Sequence, residues 1–251
     1  MPTSTSPLLA LAAVLGGSLN SVAGGGSFLT FPALVVAGID PVTANATSAV
    51  VLWPASLASA FAYRSELTTV RGVLPRLGAA SAAGGFVGAV LLLRTKSATF
   101  ATLVPWLLLV AAVVFTLGPR LAKPTSTPKA RLGNAVSAAF QFAIALYGGY
   151  FGGGMGIVML AAFAVMGVGN LHAMNALKNA LAVLINFTAI VTFVAVGKVA
   201  WAPGLWMLGW STAGGYAFPR LARRLPSQWV RWFVVLVAWA MTSYFFLRVY
   251  G

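Results

Sequence analysis

Two glycine triplets and one lysine are the residues of this chain whose types and spacing suit the binding of a solute. Gly24–Gly26 sits in SVAGGGSFLTFPAL and Gly152–Gly154 in GGYFGGGMGIVML, both uncharged and otherwise largely apolar. Each glycine weakens a helix by roughly 1 kcal/mol relative to alanine. A triplet therefore breaks the helix, lets the chain reverse sharply and leaves amide N–H groups without partners. The apolar run after the first triplet starts at Ser27, a good N-cap residue, and the run after the second starts near Met155. A helix N-terminus carries roughly half a unit of positive charge and a set of free N–H groups. Two such termini brought together would favour an anion.

Lys178, in NALKNALAVLINF, is the second feature. A lysine at the centre of a membrane helix costs at least about 3 kcal/mol. It either snorkels to an interface, since it lies only roughly 9 Å beyond His172 along a helix, or supplies a fixed positive charge beside the two helix N-termini. Asn175 and Asn179 flank it, and Asn175 shares its face more nearly. Asn45, Thr47 and Ser48 form the matching polar cluster in the first half and would donate hydrogen bonds to anion oxygens. The expected substrate-binding set is therefore Gly24, Gly25, Gly26, Ser27, Asn45, Thr47, Ser48, Gly152, Gly153, Gly154, Asn175 and Lys178. The competing role of glycine is close helix packing. The pairs in SAAGGF (Ser81 to Phe86) and STAGGY (Ser211 to Tyr216) read that way, whereas two triplets between unusually short segments exceed what a helix crossing requires.

Other chemistries find little support. The only acids are Asp40 and Glu66. Asp40 precedes Pro41 at a segment start and reads as an N-cap, and Glu66 lies in a loop with Arg64. These positions argue against a carboxylate proton relay or a carboxylate-lined cation site. His172 is the single histidine and there is no cysteine, so no His-rich metal site, disulfide or thiol chemistry exists. An intramembrane hydrolase would need Ser27 as nucleophile with a base in reach. His172 begins a segment, which leaves Lys178. No residue is assigned a catalytic role, and no cofactor and no nucleic-acid partner is implied.

The elements that must position these residues repeat. SAAGGF recurs as STAGGY 130 positions later, NATSAVVL (from Asn45) aligns with NALKNALA (from Asn175) at the same shift, and the triplets align at 128. At the longer shift Ser48 falls on Lys178. Each half reads as five apolar segments, at 8–23, 27–38, 42–63, 72–93 and 98–118, then 134–151, 155–168, 172–196, 203–219 and 229–249. The last three of each half approach the roughly 20 residues of a full span, and the first two are short and joined by the glycine break. The chain divides into a first repeat at 1–122, a polar linker at 123–132 (KPTSTPKARL) and a second repeat at 133–251.

Composition sets the medium. The 251 residues are 60% hydrophobic and 7% charged, with mean hydropathy +0.92, against about 25% charged in soluble domains. This is an all-α, polytopic membrane protein, with the lipid bilayer and a small anionic substrate as its partners, and a homodimer is compatible with the sequence. If each short pair forms one broken span, the repeats are parallel; if it forms a hairpin or two complete spans, the second repeat is inverted. The inverted arrangement puts eleven basic residues on one side and four on the other, the parallel one nine and six. Positive charge gathers on the cytoplasmic side, so two inverted repeats are preferred, with both termini outside. MPTSTSPLLALAAVLGGS lacks the basic start of a signal peptide. Trp201, Trp206, Trp229 and Trp232 suit interfacial anchoring.

At GGGSFLTFPALVVAGIDPVTANATSAV and GGYFGGGMGIVMLAAFAVMGVGNLHAMNALKNAL the chain resembles the TauE/SafE family of sulfite exporters. A glycine triplet, a short apolar helix and an "ATS" motif opening the next segment look like that family's repeated pattern. The resemblance covers nearly the whole chain. In the second half, where the family often repeats Thr-Ser, this chain has Leu177 and Lys178, which should favour negative charge. The resemblance implies a carrier of the bacterial inner membrane for sulfite, organosulfonates or related sulfur-containing anions, its two halves rocking about the bound anion. A passive anion channel, or an uptake permease for another small anion, would use the same residues.

Overall fold

The structure, a computed structural model, describes residues 6–22, 24–121, 133–168, 170–222 and 227–251. The linker at 123–132 lies outside the described residues, as do Arg223, Arg224 and the side chains of Arg120, Arg220, Trp229 and Arg231. Ten α-helices are present among the described residues and no strand, five on either side of the linker. In the first half they are α1 (Ser6–Val22), α2 (Ser27–Val36), α3 (Pro41–Ala62), α4 (Leu74–Arg94) and α5 (Ser97–Leu121). The second half supplies α6 (Asn134–Tyr150), α7 (Met155–Val165), α8 (Leu171–Ala195), α9 (Trp201–Ala222) and α10 (Ser227–Tyr250). One short 3₁₀ turn, Glu66–Val70, occupies the stretch between α3 and α4 that reads as loop in the sequence.

Three helices, within α4, α5 and α8, are long and apolar enough by length and composition to cross a bilayer. α2 has 10 residues and α7 has 11; at 1.5 Å per residue each reaches about half of a roughly 30 Å hydrocarbon core.

Local chemistry fixes the boundaries. The Asp40 carboxylate accepts the Thr43 N–H at 3.2 Å and caps α3, with Pro41 in the first turn. Asn170, its equivalent at the 130-residue shift, accepts the Ala173 N–H at 2.9 Å and caps α8. Ser27 does not cap α2. Gly26 occupies the N-cap with helical backbone angles (φ −60°), and no side chain caps the helix. The turn has already wound into helical geometry by Gly26, so Ser27 falls inside the first turn. A serine cap needs the extended backbone that would aim its hydroxyl back at the N–H groups.

Both short pairs break first at a left-handed glycine, Gly24 and Gly152. The Gly24 N–H bonds back to the Leu19 carbonyl at 3.1 Å and the Gly152 N–H to the Tyr147 carbonyl at 3.3 Å. Gly24 (φ 77°), Gly152 (φ 80°) and Gly154 (φ 73°) are left-handed, a region that costs other residues roughly 1–2 kcal/mol.

The closest helix pairs cross between the halves: α1 lies on α9 and α4 on α6, while α3 lies on α8 and α5 on α10. Exchanging the halves maps the first pair onto the second and each of the others onto itself. α3 and α8 run antiparallel, because Thr47 near the start of α3 accepts the Ala200 N–H beyond the end of α8 at 3.0 Å. At the other end, the 3₁₀ turn after α3 packs on α8. α5 and α10 do likewise: Trp106 donates to the Tyr250 hydroxyl (3.2 Å) and Trp239 to the Thr116 hydroxyl (3.0 Å). Small residues permit the cross-half contacts. A Cβ on Gly84 would lie 2.5 Å from the Phe142 carbonyl oxygen, and one on Gly214 would land on the Val14 carbonyl oxygen. SAAGGF and STAGGY are thus packing motifs. Phe28, Phe31, Phe100, Phe115, Phe151 and Phe245 join α2 to α5 and α10 in one buried aromatic cluster.

Candidate functional site

α3 and α8 each present one stripe to the site at helical spacing, polar residues alternating with small or apolar ones. On α3 it runs Asn45, Ser48, Leu52, Ser56, Ser59, and on α8 Lys178, Ala182, Asn186, Ala189, Phe193, with Ala49 and Asn179 beside them. The stripes face a cavity of about 70 Å³, which the two glycine breaks close through Gly24, Ser27, Gly152, Met155 and Gly156. At about 10–15 Å³ per water-sized probe the cavity holds several waters or one small ion. The lining is nearly symmetric. Ser48, Ala49, Leu52, Ser56 and Ser59 stand 130 positions before Lys178, Asn179, Ala182, Asn186 and Ala189, and Asn20, Gly24 and Ser27 stand 128 before Gly148, Gly152 and Met155.

The two breaks meet here. A Cβ on Gly24 would lie 4.0 Å from the Gly156 Cα, and one on Gly156 would lie 3.4 Å from the Lys178 Cδ. Both α2 and α7 therefore begin at the cavity wall, beside the lysine. Lys178 is 8% exposed and forms no hydrogen bond or ion pair among the described residues. Its stem packs on the α7 glycine, and the residue lines the cavity wall.

Of the expected residues, Gly24, Ser27, Asn45, Ser48, Gly152 and Lys178 line the cavity. Gly25, Gly26, Thr47, Gly153, Gly154 and Asn175 are not on its wall. Thr47 is one residue, or about 100°, round α3 from Ser48, and bonds the Thr43 carbonyl (2.7 Å) and the Ala200 N–H. Gly26 packs on α1, where a Cβ would land on the Gly16 carbonyl oxygen, and Gly154 faces Ala111 of α5. Asn45 also holds the break, donating to the Tyr150 carbonyl at 3.1 Å, while the Ser48 hydroxyl shares a 2.6 Å bond with Thr30. His172 is exposed and off the cavity. Trp201, Trp206 and Trp232 are exposed. Asn20, Ser56, Ser59, Asn186 and Gly156 are lining residues beyond the expected set. Asn20 donates to the Leu52 carbonyl (3.2 Å) and the Ser56 hydroxyl (2.9 Å).

The Tyr147 hydroxyl donates to the Gly153 carbonyl at 2.6 Å and pins the second break. Tyr147→Phe leaves that buried carbonyl unpaired and is expected to cost about 1–3 kcal/mol, read as a lowered melting temperature in detergent.

The family model described as sulfite exporter TauE/SafE matches residues 9–245. The chain belongs to that family. TauE/SafE relatives with curated descriptions include the "probable membrane transporter protein YfcA" of Escherichia coli K12, 27% identical over 94% of this chain and 87% of that protein. The "probable membrane transporter protein ORF9" of Sinorhizobium sp is 28% identical over 86% of this chain and 84% of its own length. A "probable membrane transporter protein" of Haemophilus influenzae is 27% identical over 90% and 88%. No solved structure matches this chain significantly. This TauE/SafE chain is a membrane transporter.

Proposed function

We propose that the protein is a secondary transporter of the cell inner membrane that exports sulfite or a closely related sulfur-containing anion. The observation that carries the reading is the convergence of two helix N-termini and Lys178 on one small cavity. N–H groups and a cation together suit an oxyanion, and the two carboxylates of the chain, Asp40 and Glu66, stay off the cavity wall. The volume of about 70 Å³ favours sulfite over bulkier organosulfonates in this conformation.

The two halves act as inverted repeats about this site. Because α1 is sealed to α9 and α4 to α6, the moving bodies are not the two sequence halves; each combines helices from both. Flux of radiolabelled sulfite into proteoliposomes tests the reading. Saturable uptake accelerated by counter-loaded sulfite is expected. Sustained single-channel current without counter-exchange would identify a passive channel instead, and absence of sulfite flux with flux of another anion would replace the substrate.

A further inference from the structure

A second polar cavity, of about 390 Å³, lies at the end of the bundle where α3 ends and α8 begins. Its wall includes Thr69, Arg76, Asn134, Ser137, Asn170 and Met166. Arg76 lies in the first turn of α4, Asn134 opens α6 and Asn170 caps α8, so the N-termini of three helices border the cavity. The Arg76 Nε is buried and has no hydrogen-bond partner among the described residues. No carboxylate forms an ion pair with Arg76 among the described residues: Asp40 lies at the opposite end of α3, and Glu66, in the 3₁₀ turn at this end of the bundle, takes the Ser65 hydroxyl at 2.7 Å.

The equivalent face of the other half is built differently. At the 130-residue shift Arg76 corresponds to Trp206 and Asn170 to Asp40. The positions that carry a guanidinium and a neutral cap in one half thus carry an indole and a carboxylate in the other. Buried methionines separate the Arg76 cavity from the central one: Met155 lines the central wall, Met166 the outer one, and Met159 and Met174 fill the same cluster.

We propose that the Arg76 cavity is a second anion site, a one-sided vestibule that captures the free oxyanion before it passes the methionine cluster to Lys178. A guanidinium fork matches two oxygens of such an anion, and a charged mouth raises the local concentration of its solute. The proposal rests on the anion-transport reading for its substrate. In the inverted arrangement this is the basic, cytoplasmic face, where an exporter must collect its cargo.

Calorimetric titration of sulfite into the full-length protein in detergent, for wild type, Arg76→Gln, Arg76→Lys and Lys178→Gln, tests it. Two sites are expected in wild type, one lost in Arg76→Gln and the other in Lys178→Gln. Arg76→Lys should keep the site with affinity about tenfold weaker, which separates lost recognition from lost folding. A single wild-type site that survives Arg76→Gln and disappears in Lys178→Gln overturns the vestibule and leaves the transport reading intact. One that behaves in reverse upholds the vestibule and overturns the central site. No binding in wild type overturns both. Lipid phosphate offers the same chemistry. If phosphatidylglycerol micelles abolish the Arg76-dependent site while phosphatidylcholine micelles do not, the occupant is a headgroup, and the capture role is overturned.

Discussion

Lys178→Met is expected to reduce sulfite flux in proteoliposomes about 10- to 100-fold while leaving the protein as stable as wild type, or more so. A hydrogen bond to a charged group contributes about 1.5–3 kcal/mol, which sets the loss of flux if the ammonium group meets the anion directly. The stability half of the expectation comes from burial. Lys178 is 8% exposed, and no carboxylate pairs with it among the described residues. Its charge is therefore an uncompensated cost in the empty transporter, and an apolar side chain of similar length removes that cost. A lysine that merely snorkels would give the opposite pattern, with flux unchanged by Lys178→Met. Radiotracer flux and a thermal melt of the same preparations separate the two. Unchanged flux would remove Lys178 from the site.

Gly84→Ala and Gly214→Ala are each expected to destabilise the protein by about 1–3 kcal/mol, lowering the melting temperature in detergent by roughly 5 °C. The two glycines are equivalent at the 130-residue shift and seal the two cross-half pairs. At Gly84 a Cβ meets the Phe142 carbonyl oxygen, the Ala145 Cβ (2.7 Å) and the Leu146 amide nitrogen (3.0 Å); at Gly214 it meets the Val14 carbonyl and the Ser18 hydroxyl (3.0 Å). The obstacles are mostly main-chain atoms, so a side-chain rotation cannot make room, and the helices must separate. Gly209 has open space where its Cβ would stand, and Gly209→Ala is the matched control, with no loss expected. Equal melting temperatures for Gly84→Ala, Gly214→Ala and Gly209→Ala would show that α4–α6 and α1–α9 are not in close contact.

Several helix boundaries were readable because the apolar runs there meet a residue with a strong local effect: Asp40–Pro41, Asn170 and the two triplets. The cavity was readable in outline for the same reason, since a left-handed glycine and a membrane-embedded lysine are both costly away from a use. Its lower wall was not. Asn20, Ser56 and Asn186 are single polar residues in apolar helices, and such residues often bond only a neighbouring helix. The available signal was the repeat: Ser56 lies eight residues beyond Ser48 and Asn186 eight beyond Lys178, two successive i+4 steps that keep to one side of a helix. Thr47 and Ser48 show the limit of reading a motif as a block. Adjacent residues on a helix diverge by about 100°, so one reaches the cavity and the other holds Ala200. Ser27 was misjudged as a cap because the winding of Gly26 depends on backbone angles that a glycine leaves open.

The partnership of α1 with α9 bears on how the protein is made. α1 begins at Ser6 and α9 at Trp201, so at about 5–20 residues per second the ribosome needs roughly 10–40 s to supply the second helix after the first. For that interval the face of α1 at Gly17, which packs on Ser211 of α9, must wait in the translocon or against lipid. The nascent chain is most vulnerable to quality-control proteolysis during this window.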